Sequence, residues 1–75
     1  MRAYIVIGTE AGKSRGVAQQ IASLPGVKMA DASWGSRDVF ALVEVRETQE
    51  LNELVLDKIQ RVDGVRETNT HIAFD

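Results

Sequence analysis

The chain has 75 residues, 44% of them hydrophobic and 27% charged, with one proline and no cysteine. That composition fits one compact globular domain over residues 1–75 and excludes a disordered tail, disulfide staples, thiolate catalysis and the cysteine ligands of most small structural zinc sites. Nine basic and eleven acidic residues give a net charge of -2 with no run of Lys or Arg, so no direct nucleic-acid partner is expected. The apolar stretch Ala3 to Ile7 is too short for a signal-peptide core or a bilayer span, so we expect a cytoplasmic protein with no membrane partner.

Arg2 to Thr9 is β-branched, aromatic or small and predicts a first strand, with Gly8 and Gly12 read as the turn that follows it. Between Lys13 and Leu24 the apolar positions Val17, Ala18, Ile21 and Leu24 recur at helical spacing, and Pro25-Gly26 stops the helix. Val27 to Trp34 is the weakest element, because apolar and charged residues mix without a clean period, and Gly35-Ser36 then signals a turn. Arg37 to Arg46 predicts the strongest strand, nearly continuous from Val39 to Val45 and therefore central in a sheet. Thr48 is the expected N-cap of a second helix, whose stripe of Leu51, Leu54, Val55, Ile59 and Val62 faces a core. Asp63-Gly64 ends it, and Val65 to Phe74 predicts a last strand with Arg66, Thr68, Thr70, Ile72 and Phe74 on one face and Val65, Glu67, Asn69, His71 and Ala73 on the other.

A weak internal repeat supports this order. Ile21 to Val27 aligns with Ile59 to Val65 at a constant offset, so each half consists of a strand, a helix, a glycine turn and a returning strand. The expected fold class is α+β: a ferredoxin-like βαββαβ arrangement with a four-stranded antiparallel sheet and both helices on one face. A sheet with water on its other face should alternate strictly between apolar and polar residues. Ile5-Val6-Ile7 and Val39 to Val43 do not, so the second face needs a cover, and a second copy packed sheet to sheet is the expected one, giving a homodimer.

Few residues carry chemistry. Gly8 to Ser14 resembles a phosphate loop, but three residues separate Gly8 from Gly12 where a Walker A loop has four, and no strand ends in a magnesium-binding Asp. His71 is the only histidine and has no metal-ligand or nucleophile partner at a useful spacing, so no catalytic residue, metal ligand or cofactor is expected. Trp34-Gly35-Ser36-Arg37-Asp38 reads either as a plain hairpin or as a ligand loop. In the second reading, backbone amides near Gly35 take a carboxylate and Asp38 takes an ammonium group, as an α-amino acid would require. Thr68 and Thr70 are either simple β-formers or polar contacts lining a pocket.

Ala3 to Ile7 with Thr9-Glu10-Ala11-Gly12, Leu24-Pro25-Gly26-Val27, Trp34 to Val39, Leu51-Asn52-Glu53-Leu54, and Asp63-Gly64-Val65 with Thr68-Asn69-Thr70 run through the chain in order. Together they resemble the effector-binding domain of Lrp/AsnC transcription regulators, also called RAM for regulation of amino-acid metabolism. The resemblance covers essentially the whole chain, and its most specific parts are the Gly-x-x-Asp at Gly35 to Asp38 and the Thr-x-Thr at Thr68 to Thr70. It implies a dimeric α/β barrel, higher rings such as octamers, and an amino-acid effector bound between dimers. By position it implies Gly35, Asp38, Thr68 and Thr70 as ligand contacts, with Trp34, Ser36 and Arg37 beside them. The helix-turn-helix domain of the full-length family is expected to be absent, which makes the chain similar to stand-alone RAM proteins and suggests a sensor acting on transcription through a full-length partner regulator. Met1 and the immediate start of a strand suggest a natural beginning.

Two other classes fit the same architecture. A small monooxygenase-like enzyme would bring His71 and Trp34 together in a cavity, and a purely structural interaction module would leave the glycine loop without a ligand. The regulatory, non-enzymatic reading is the expectation carried forward.

Overall fold

In the computed structural model, which describes residues 1–34 and 38–74, the strands are β1 (Arg2–Thr9), β2 (Val27–Ala32), β3 (Asp38–Glu44) and β4 (Val65–Ala73). Helix α1 (Ser14–Ala22) joins β1 to β2, and α2 (Thr48–Asn52) opens the connection from β3 to β4. The sheet order is β2-β3-β1-β4 with every neighbouring pair antiparallel, which is the ferredoxin-like arrangement and places β3 in the interior. Ala3, Ile5 and Ile7 of β1 and Val39, Ala41 and Val43 of β3 point to one side. There they form a core with Val17, Ala18 and Ile21 of α1 and Leu51, Leu54, Val55 and Ile59 of the second helix. No helix among the described residues is long and apolar enough to cross a membrane.

The second helix is not uniform. It runs as α over Thr48–Asn52, widens to a π-helix over Glu53–Lys58 and tightens to a 3-10 turn over Ile59–Arg61. Leu51, Val55 and Ile59 repeat every four residues, which drifts by about 40° per repeat around an ordinary α-helix. The wider turn takes up that drift and keeps all three residues in the core. Thr48 is the first helical residue and not the N-cap; Glu47 holds that place in extended backbone without a side-chain cap bond. Glu50 reaches back instead, its carboxylate accepting the Arg46 backbone N–H at 2.9 Å and pairing with the Arg46 guanidinium at 3.5 Å.

A β-bulge explains why β2 is faint in the sequence. Val27 pairs with Val43 but Met29 pairs with Leu42, so Lys28 is an extra residue. The bulge shifts the period-two phase, and Val27 and Ala30, three positions apart, both pack against the core.

The repeat in the sequence is a repeat in the backbone. Leu24 and Val62 donate to Ile21 and Ile59, Val27 and Val65 donate to Leu24 and Val62, and both isoleucines are fully buried. Gly26 and Gly64 both take positive φ, at 92° and 99°. Their carbonyls accept from Glu44 and Glu10 at 2.8 and 2.9 Å, so each turn clips an outer strand to the end of the central strand beside it.

Gly64 carries a second constraint, because a Cβ there would lie 2.9 Å from Lys13 Cβ and 3.1 Å from Val17 Cγ2. Gly12, at φ 80°, has open space around it. Gly64→Ala is expected to cost about 2–4 kcal/mol, left-handed strain plus overpacking, and Gly12→Ala only about 1–2 kcal/mol from strain alone. Urea denaturation midpoints of the two variants check this ordering.

Across the same turn, Lys13 Nζ bonds Asp63 Oδ2 at 2.9 Å, and that bond raises the lysine above its ordinary pKa. A raised folded-state pKa stabilises the fold at every pH below the ordinary lysine range and loses that contribution as the pH climbs through the folded value. Thermal melts from pH 8 to 11.5 should therefore show a steeper alkaline decline for the native chain than for Asp63→Asn.

Candidate ligand-binding site

The side of the sheet away from the helices carries its residues in ranks fixed by strand register. Met29, Leu42, Tyr4 and His71 form one rank; Asp31, Phe40, Val6 and Asn69 form the next; Asp38, Gly8 and Glu67 form the third. Tyr4, Phe40 and Met29 are each about half exposed, at 48%, 47% and 49%. The face is thus apolar across its middle, as the two-sided strands imply, and charged at the end where Gly8 lies.

At that end Gly8, Thr9, Asp38, Arg66 and Glu67 line a recess of about 160 Å³. Three local features shape it. Gly8 lies within β1 and not in the strand-to-helix turn to which the sequence reading assigned it. Its missing side chain is filled by a neighbour: a Cβ at Gly8 would lie 2.9 Å from Glu67 Cγ, so the Glu67 side chain leans over the glycine into the gap facing Asp38. The third feature is a bulge in β4. Gly8 pairs with Glu67 and Thr9 with Val65, which leaves Arg66 as the extra residue and brings its side chain to the recess. Thr9 closes the floor; it is buried and its hydroxyl lies 2.8 Å from Ser14 Oγ.

The residues singled out from the sequence are dispersed within one protomer. Asp38 faces the open side, and its carbonyl accepts Ser33 N–H and Ser33 Oγ–H, both at 3.1 Å. Thr68 and Thr70 pair with Ile7 and Ile5 and so face the helix side, where Gln60 Nε2 donates to Thr68 Oγ1 at 2.9 Å. The sheet separates them from Asp38. Trp34 is fully exposed and lines a different recess with Ser14, Arg15, Ala32 and Ser33. Gly35, Ser36 and Arg37 lie outside the described residues. His71 is exposed beside Tyr4 on the edge strand β4, with two strands between it and β2, which leads to Trp34. The pair that an enzyme reading needed together is therefore apart within one protomer. Among the described residues no group of three or more His, Asp or Glu side chains is placed to hold a metal ion.

Gly8, Arg66 and Glu67 escaped the sequence reading. Glycine inside a strand does signal a bulge or a close approach, but the turn-like Gly-x-x-x-Gly spacing drew it to the loop.

A family model described as the Lrp/AsnC ligand binding domain matches residues 2–75. The chain belongs to the Lrp/AsnC family. An uncharacterized HTH-type transcriptional regulator of Pyrococcus abyssi is 40% identical over 70 residues, covering 93% of this chain and 44% of its own length. The Lrp/AsnC segment described here thus spans less than half of that relative. TTHA0845 from Thermus thermophilus superposes with a TM-score of 0.90 at 30% identity, over 99% of this chain and 92% of its own. The transcriptional regulator NMB0573 from Neisseria meningitidis, whose crystal structure is an L-Met complex, shares the fold at a TM-score of 0.83 and 20% identity, over 99% of this chain and 49% of its own. The chain is thus an Lrp/AsnC ligand-binding domain related to transcriptional regulators, with the βαββαβ fold its sequence implied.

The recess makes one structural prediction independent of any ligand. Gly8→Ala should cost about 1–2 kcal/mol by driving a methyl group into Glu67, and adding Glu67→Ala should recover most of it. Denaturation of the two single variants and the double variant measures that coupling.

Proposed function

We propose that this Lrp/AsnC domain is a non-enzymatic effector sensor, which binds an amino acid at the Asp38 recess and modulates transcription through a full-length partner regulator in the cytoplasm. The observation that carries the reading is the chemistry of the recess, where carboxylates and a guanidinium line one small cavity. Asp38 suits an α-ammonium group and Arg66 an α-carboxylate, and charge-assisted bonds of this kind are the strong ones. A volume of about 160 Å³ is room for about five waters, enough for the zwitterionic head of an amino acid and short of the usual span of a complete ligand pocket. The remaining walls come, in this reading, from a second copy.

The open face supplies the reason for that copy. Tyr4, Val6, Met29, Phe40 and Leu42 form a contiguous apolar strip that one chain leaves in water. Two such faces packed about a two-fold axis give the α/β-barrel dimer, and Thr68 and Thr70, on the other side of the sheet, become available to contacts between dimers in a larger ring such as an octamer. The L-Met complex of the Neisseria meningitidis regulator supports an amino acid as the ligand class.

Calorimetric titration with each of the twenty amino acids, alongside light scattering for mass, tests the proposal. The expected result is a dimer or larger assembly that binds at least one amino acid, with Asp38→Asn weakening that binding roughly ten- to hundredfold, the equivalent of one charge-assisted hydrogen bond. A monomer would defeat the face-to-face assembly, and an assembly indifferent to every amino acid would defeat the sensor.

A further inference from the structure

We draw no further inference here: the strongest candidate, the groove of about 430 Å³ between the Pro25-Gly26 turn and the second helix, with Val45 and Leu54 among its walls, rests on the surface acids Glu50, Glu53 and Asp57, and nothing in the structure shows what covers it.

Discussion

Two short helices can dry only one side of a four-stranded sheet, and every other feature of this molecule follows from that limit. On the covered side the central strands place Ala3, Ile5, Ile7, Val39, Ala41 and Val43 almost completely out of water, where they meet both helices in one core. On the other side the same strands leave aromatic and aliphatic side chains half wet. Burying such residues is worth about 25 cal/mol for each Å² of apolar surface, so the uncovered side is a standing drive toward association. The recess lined by Asp38, Arg66 and Glu67 lies at the end of that face.

The covered side was legible from sequence because periodicity encodes it directly. Ile5 and Ile7, Val39, Ala41 and Val43, and the stripe Leu51, Leu54, Val55 and Ile59 are all core residues, and the repeated Ile-x-x-apolar-x-Gly-Val segment marks two equivalent turns. The family resemblance also stood on such segments, and the match over residues 2–75 bears it out. Asp38 was singled out from its loop, and it does border a recess.

What the sequence concealed are the places where a strand breaks step. Lys28 and Arg66 are each an extra residue opposite one partner, and a period-two reading places every residue beyond a bulge on the wrong side. Arg66 for this reason read as sharing a face with Thr68, whereas the bulge delivers it to the cavity that Asp38 faces. Glu67 and Gly8 become neighbours only through pairing between β1 and β4, a contact across nearly the whole length of the chain. The π-helical turn is concealed in the same way, because a four-residue spacing satisfies an α-helical stripe well enough to hide the drift it must correct.

The two bulges also bear on how the sheet ends. Both lie on the outer strands, β2 and β4, and each places a basic residue, Lys28 or Arg66, where the ladder is interrupted. A bare outer strand is a template on which further chains can add without limit, and kinks and positive charge are the common means of blunting it. Lateral growth into a ribbon is thereby discouraged at both margins.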